Sequence, residues 1–219
     1  GNVLDLGVPS DGTVSTAKIV DANVTTAKIA DANVTLAKLS ATGTKDATTF
    51  LRGDNTFDTP PLGGITMADN WRLTTTFNGA AQPIASNLER NDTAPALTYL
   101  GSQMTESSGV FTFPSTGIYY VSFGASFKLN GDDRSTTVYI EATTDNSSYA
   151  ISSEVGSFIQ QTSGTVTYAS AYTDQLFDIT DTSNQKVRFR VDFVYAYTET
   201  IGNSSKDLTS MRFIRLGDT

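Results

Sequence analysis

Two residue types with distinctive side-chain chemistry, cysteine and histidine, are absent from this chain of 219 residues. Without cysteine there are no disulfides, thiolate metal ligands or thiol nucleophiles. Without histidine there is no base for a Ser-His or Cys-His pair, and the usual zinc ligand is missing. A glycosidase-type pair of carboxylates is chemically possible, but the five glutamates are scattered and no motif surrounds any of them. The sequence therefore predicts a protein that is not an enzyme and has no cofactor.

Positive charge and long apolar runs are also scarce. Lys and Arg number 15 against 23 Asp and Glu, which gives a net charge of −8. A chain this acidic is a poor nucleic-acid binder, because binding phosphates requires a positive field. No apolar run approaches the length of a membrane span. We expect neither nucleic-acid binding nor membrane insertion.

Aromatic residues are missing from the first 49 positions and are concentrated beyond residue 70. A segment of this length without aromatics cannot build a globular core of its own. We therefore divide the chain into a stalk, residues 1–61, and a head, residues 62–219.

The stalk contains three copies of a ten-residue repeat, which begin at Val14, Val24 and Val34. Ten residues do not return an apolar stripe to the same side of a helix, and on a strand Val24 and Ile29 point to opposite faces. Each unit is predicted to be an extended step, a short helical turn and an Asp-Ala-Asn turn. A single chain would expose these aliphatic residues, whereas three chains around an axis would bury them. A disordered linker is the alternative.

The repeats lead into Ala-Thr-Thr-Phe-Leu-Arg-Gly-Asp-Asn-Thr-Phe at residues 47–57. Decapeptide repeats followed by this motif resemble the shaft of bacteriophage tail-fibre proteins, and the resemblance covers residues 11–58. Arg52-Gly53-Asp54 also spells the integrin-binding tripeptide. Gly-Asp-Asn is a strong turn signal by itself, so we predict a turn here and not an adhesion motif.

The head alternates apolar and polar residues with a period of two. Residues 186–197 place Val187, Phe189 and Val191 on one face, followed by Phe193, Tyr195 and Tyr197. Further strands are predicted at 71–77, 97–104, 110–113, 117–127, 135–144, 149–155, 165–180 and 208–216. Turn-forming clusters separate them, and no long helical stripe is present. About ten short antiparallel strands indicate an all-β sandwich or jelly roll.

A second motif narrows this prediction. Residues 109–123 read Gly-Val-Phe-Thr-Phe-Pro-Ser-Thr-Gly-Ile-Tyr-Tyr-Val-Ser-Phe, which is similar to the signature of the complement globular head. The last segment, 209–216, also resembles the closing strand of that family, although 179–184 departs from its usual Leu-x-x-Gly-Asp turn. The resemblance implies a tumour-necrosis-factor-like jelly roll, a fold that forms homotrimers.

Together these features predict a trimeric viral fibre protein, from a bacteriophage, whose C-terminal knob attaches to a host-cell surface receptor. A carbohydrate receptor is expected, together with a location on the virion and contacts with other virion proteins through the N-terminal side. The first alternative is a structural head fibre or decoration protein whose knob mainly drives trimerisation. The second is a bacterial surface or spore-filament protein.

The receptor-binding residues are expected on the loops at 130–134, 156–164 and 198–207. If both ends of the head lie at its base, as the resemblance implies, these loops cluster at the opposite tip. The turns at 145–148 and 181–185 then fall at the base. The predicted polar contacts are Asp132, Asp133, Arg134, Gln160, Gln161, Asn203 and Lys206.

Other interpretations of these residues remain open at this point. The predicted contacts could be plain solvated turns. Asp132 and Asp133, with Asn130, could hold a Ca²⁺ ion through their oxygens. Tyr149, Tyr168 and Tyr172 could stack on sugar rings or be half-buried packing residues.

Overall fold

A computed structural model describes residues 17, 19–20, 24–30, 33–60 and 64–219. The chain divides into two compact units, Gly1–Leu62 and Gly63–Thr219. Among the described residues, no helix combines the length and apolar character that a bilayer crossing requires.

The first unit confirms the short helical turn predicted in the repeat. One 3-10 turn spans Thr26–Lys28 and another spans Leu36–Lys38. The expected exposure of the aliphatic residues is also observed, with Val24 at 54% and Ile29 at 41% of full accessibility. A single chain therefore leaves these two apolar residues of the repeat in water.

A two-stranded hairpin closes the described part of this unit. Strand β1, Phe50–Leu51, pairs with β2, Phe57–Asp58, around the Arg52-Gly-Asp-Asn turn. Asn55 donates to the carbonyl of Arg52 at 3.1 Å, and Arg52 forms ion pairs with Asp54 and Asp58. The predicted turn is confirmed, and the Arg and Asp of the tripeptide are partners of each other.

The second unit consists of strands joined by turns. Its short strands are β4 Phe77–Asn78, β5 Leu88–Arg90, β6 Tyr99–Leu100, β7 Thr105–Ser107, β8 Val110–Thr112 and β14 Glu199–Thr200. Its long strands are β3 Met67–Leu73, β9 Gly117–Leu129, β10 Asp133–Thr143, β11 Ala150–Ile159, β12 Thr167–Ile179, β13 Lys186–Phe193 and β15 Ser210–Gly217.

These strands form two antiparallel sheets. The smaller sheet has the order β11-β10-β13-β8-β7. In the larger sheet β9 pairs with β12 along one edge and with β15 and β14 along the other, and β3 and β5 follow β15. From β8 onward the chain passes repeatedly from one sheet to the other, which is the connectivity of a jelly roll. The predicted all-β jelly-roll sandwich is confirmed.

Aromatic side chains fill the space between the sheets. Phe111 of β8 is fully buried, and its ring centroid lies 5.3 Å from that of Trp71 and 5.0 Å from that of Phe213, both on the opposite sheet. Phe189 completes the cluster at 5.4 Å from Phe111. These residues come from the inward positions of alternating strands, so the period-two pattern is what assembles the core.

One arginine is buried completely. Arg72 of β3 is 0% exposed and forms ion pairs with Glu89 and Asp92, each at 2.6 Å. Its guanidinium also donates to Asn91 and Thr93. Because an unpaired buried charge is costly, these acceptors are what permit an arginine at this position.

Several predicted strand bounds are corrected by the structure. The predicted strand 186–197 ends at Phe193, so Tyr195 and Tyr197 lie outside the sheet. Strand β11 runs on to Ile159, so Gly156 pairs with Thr137 and is not part of a loop. In both cases hydrogen bonds to a distant strand set the end, and the local pattern carries no information about them.

Candidate functional site

The loops following β9, β11 and β13 meet at one end of the sandwich, called here the loop end (residues 130–132, 160–166 and 194–198). Leu129, at the end of β9, pairs with Thr167, at the start of β12. Both ends of the head lie at the opposite end of β9, since Met67 pairs with Arg215 and Arg215 with Tyr119. This register confirms the predicted clustering of the first two loops away from the head's own termini.

Hydrogen bonds join two of these loops. The backbone N–H of Gln161 donates to the Asp132 carboxylate at 2.6 Å, and its side-chain amide donates to Asn130 at 2.5 Å. Asp132, Arg134 and Gln160 are all exposed. Together with Phe158, which is 63% exposed, they border a cavity of about 350 Å³. Four of the predicted contact residues are thus brought together on an accessible surface.

Asp133 has a different role from the one predicted. Its side chain is only 1% exposed, so the structure places it inside the head and not on the accessible surface where the prediction had it. The carboxylate accepts hydrogen bonds from the backbone N–H groups of Ser135 and Tyr195 and from the hydroxyl of Thr198. A buried carboxylate needs such donors, and here they tie the segment 195–198 to the start of β10.

Asn203 and Lys206 also lie apart from the cluster. The segment from 198 to 207 leaves the loop end through β14 and runs back along the larger sheet. Asn203 donates its backbone N–H to Leu73 at the end of β3, and Asp207 accepts from Asn70. Pairing with β9 and β3 draws this segment away from the loop end, so the structure does not place these two residues with the other predicted contacts. Their contact with a receptor stays a prediction.

Two exposed tyrosines that were not among the predicted contacts lie at the loop end. Tyr195 is 47% exposed and Tyr197 is 67% exposed, and their ring centroids lie 5.4 Å apart at an angle of 55°. Alternation placed both on the inner face of a continued strand, so the sequence analysis missed them. The sequence carries one sign that the strand ends at Phe193. Charged residues separate the apolar positions as far as Asp192, but the next separating residue is Val194, which is not charged.

The oxygens that were left open as ligands for a Ca²⁺ ion do not point to a common site. Asp132 is exposed and holds Gln161, whereas the carboxylate of the neighbouring Asp133 is buried. Across the residues that the structure describes, no group of three or more acidic side chains is placed to hold a metal ion.

The three tyrosines for which sugar stacking or half-buried packing was left open differ in their surroundings. The Tyr149 ring lies against the guanidinium of Arg188, 4.0 Å from its centroid, and is partly covered. Tyr168 and Tyr172 are exposed on β12, on the outward face of the larger sheet. That face is a second candidate surface.

An apolar row crosses this outward face. The register places Leu176 beside Tyr120, Tyr120 beside Ile214 and Ile214 beside Ala68, and Leu100 extends the row. Leu176 is 58% exposed and Leu100 is 44% exposed. A contiguous apolar strip on a β-sheet face is typical of an association surface.

The Tyr120 hydroxyl on this face should titrate abnormally. A hydrogen bond of 2.8 Å to the Tyr172 hydroxyl, together with burial, raises the pKa of Tyr120 to about 12. A raised pKa means that the folded state holds the proton more tightly than the unfolded state does. The resulting stability is complete below the ordinary tyrosine pKa of about 10 and is lost as the pH rises through the folded value.

Removing the partner hydroxyl provides the test. In a Tyr172→Phe variant, we expect the Tyr120 pKa to fall towards the ordinary value, measured by ultraviolet absorbance of ionised tyrosine. Tyr168→Phe, on the same strand, also removes one tyrosine from the total absorbance but should leave the Tyr120 step near pH 12 in place. A step near pH 12 that persists in Tyr172→Phe would show that the hydrogen bond does not cause the shift.

In comparisons with known proteins, the chain resembles solved structures but matches no family model and no curated protein. The crystal structure of murine APRIL at pH 8.0 is 12% identical, with a TM-score of 0.47, and covers 68% of this chain and 98% of its own. The murine APRIL structure at pH 5.0 is 9% identical with the same coverage and a TM-score of 0.48. The jelly-roll fold of this chain is established by its own strand order.

Proposed function

We propose that this chain belongs to a trimeric viral fibre, of the bacteriophage tail-fibre type, whose head attaches the particle to a host-cell surface. The proposal combines a repeat that cannot bury its aliphatic residues alone with a rigid jelly roll that presents a cluster of accessible loops. Binding, and not catalysis, is the chemistry that these features support.

The exposure of the repeat is the observation that carries the proposal. Five of its aliphatic residues remain between 41% and 65% accessible in the single chain: Ile19, Val20, Val24, Ile29 and Val34. Linkers rarely keep aliphatic residues at fixed intervals, because a solvated chain gains nothing from them. Burial against two further copies would remove this apolar surface from water.

The head offers a matching surface for self-association. The row of Leu176, Tyr120 and Ile214 is apolar, and it lies on the outward face of a sheet whose other face already covers the core. Chains that associate through their stalks bring such faces close together at high effective concentration. The sequence resemblance to tumour-necrosis-factor-like heads also implies three copies.

Attachment is assigned to the loop end, because it carries accessible polar and aromatic residues on loops fixed by the scaffold. Asp132, Arg134 and Gln160 are exposed there, and so are Tyr195 and Tyr197. Three copies of a weak site acting together would increase the apparent affinity by roughly 10²–10⁴.

Cell binding by the full chain tests this function. Labelled protein should adhere to its host bacterium, and unlabelled protein should block adsorption of the virus that carries the fibre. An Asp132→Ala/Arg134→Ala/Gln160→Ala variant should bind at least about tenfold more weakly, because it removes exposed contacts without touching the buried Asp133.

The control lies at the other end of the sandwich. Ser183→Ala/Asn184→Ala alters an exposed turn near the head's termini and should bind as the unchanged protein does. If the unchanged protein neither adheres nor blocks adsorption, the structural alternative is favoured, in which the head mainly drives trimerisation. If the control loses binding and the triple variant does not, the contact surface lies near the head's termini and not at the loop end.

A further inference from the structure

The turn that carries Tyr195 and Tyr197 is fixed by hydrogen bonds to a buried side chain. The buried Asp133 carboxylate accepts from the backbone N–H of Tyr195 at 3.2 Å and from the Thr198 hydroxyl. Within the turn, the Thr198 N–H donates to the Tyr195 carbonyl at 3.0 Å. A buried carboxylate, which is costly in an apolar interior, therefore fixes the backbone of an exposed segment.

Neighbouring strands anchor the same turn at both ends. The Val194 N–H donates to the Ser135 carbonyl, and the Thr198 carbonyl accepts from the Gly79 N–H at 2.9 Å. Gly79 has φ of +78°, and a Cβ there would lie 3.3 Å from the Ala196 carbonyl oxygen. The turn thus packs closely on a glycine, and its side chains are presented on a rigid backbone.

Both tyrosine rings of this turn are exposed, Tyr195 at 47% and Tyr197 at 67%. The two ring planes are inclined at 55° and their centroids lie 5.4 Å apart, so the rings are not stacked face to face. Tyrosine supplies a large apolar face and a hydroxyl while losing little conformational entropy on binding. Exposed tyrosines on a preorganised backbone are a frequent source of binding energy.

The charges around the pair indicate the class of ligand. Among the three loops of the loop end and the adjoining Asp133 and Arg134, Arg134 is the one basic residue, against Asp132 and Asp133. The whole chain carries a net charge of −8. An anionic ligand would meet no cluster of cations here. The accessible amides and hydroxyls, including that of Gln160, suit a neutral ligand rich in hydroxyl groups.

We infer that Tyr195 and Tyr197 form a stacking platform for the rings of a neutral saccharide. The C–H face of a sugar ring would lie on one tyrosine and touch the edge of the other, with the polar groups of the loop end reaching its hydroxyls. Asp133 acts as a positioning residue for this platform. The inference rests on the proposed attachment function and names the class of receptor that it would bind.

Polysaccharide binding by the full chain tests the platform directly. The probes are dextran, mannan and galactan as neutral polymers and polygalacturonate as an anionic one, each measured by titration calorimetry. At least one neutral polymer should bind and polygalacturonate should not. Tyr197→Ala should weaken that binding by at least about tenfold, whereas Tyr197→Phe, which keeps the ring, should stay within about threefold.

Tyr168→Ala is the matched control, since Tyr168 is 68% exposed and Tyr197 is 67% exposed, but Tyr168 lies on the sheet face. It should bind as the unchanged protein does. A loss with Tyr168→Ala but not with Tyr197→Ala would overturn the inference and place the site on the sheet. The inference would also be overturned if none of the neutral polymers binds, or if their binding does not depend on Tyr197.

Cell experiments separate this inference from the attachment function. If the protein adheres to cells equally well with Tyr197→Ala, or after periodate oxidation of the cell-surface sugars, attachment stands and the saccharide platform is refuted. If a neutral polymer binds through Tyr197 but no host cell does, the platform stands and the attachment function is refuted.

Discussion

Replacing Leu176 by aspartate is expected to convert the protein from a three-chain species to single chains. The unchanged protein should have a mass of three times 23.4 kDa by light scattering on a size-exclusion column. Leu176 is 58% exposed in the single chain, so the substitution should not disturb the fold of the head. In a trimer that covers this row, three carboxylates would lose their hydration without gaining partners, at a cost of several kcal/mol each.

Val194→Asp is the matched control, because Val194 is also 58% exposed but lies at the loop end. It should remain trimeric. High salt should not dissociate the unchanged protein, since its negative charge opposes association and apolar burial must drive it. A monomer at micromolar concentration, or a Leu176→Asp variant that stays trimeric, would contradict an interface on this face.

Replacing Phe111 by alanine is expected to cause the largest loss of folding stability, about 3–5 kcal/mol. The Phe111 ring is 0% exposed and joins the two sheets through Trp71 and Phe213. Truncation leaves a cavity that a rigid sandwich cannot fill by collapse. Because natural domains are stable by only about 5–15 kcal/mol, this variant should be close to unfolding.

Urea unfolding at one fixed protein concentration measures this loss, because association with other chains also contributes to apparent stability. Phe111→Leu, which keeps most of the volume, should lose less than about 1.5 kcal/mol. Tyr197→Ala, at an exposed position, should lose at most about 0.5 kcal/mol. A loss below about 1 kcal/mol in Phe111→Ala would show that the aromatic cluster does not hold the sheets together.

The strands and turns were largely predictable from the sequence, because they depend on local chemistry. Alternating side chains place Val187, Phe189 and Val191 on one face of β13, and the structure buries all three. Gly, Asp and Asn favour turns wherever they occur, as they do after Arg52. The jelly-roll class followed from the number and spacing of such strands, together with the Gly-x-Phe motif at 109–123.

The candidate surface at the loop end was less predictable, because it depends on where each strand leaves its sheet. Continued alternation would place Tyr195 and Tyr197 with the core, yet β13 ends at Phe193 and both rings are exposed. That end is set by Asp133, which is 62 positions away along the chain from Tyr195. A local pattern cannot report a hydrogen bond across such a separation.

The sequence sets the net charge of the chain, and tertiary structure decided which charged groups are accessible. The sequence by itself established an acidic chain without cysteine or histidine, a ten-residue repeat and a β-rich head. Only the packing of distant segments placed Arg72 and Asp133 inside and Arg134 outside. The physical reason is that a buried charge is tolerated only where partners converge on it, and long-range folding decides where that occurs.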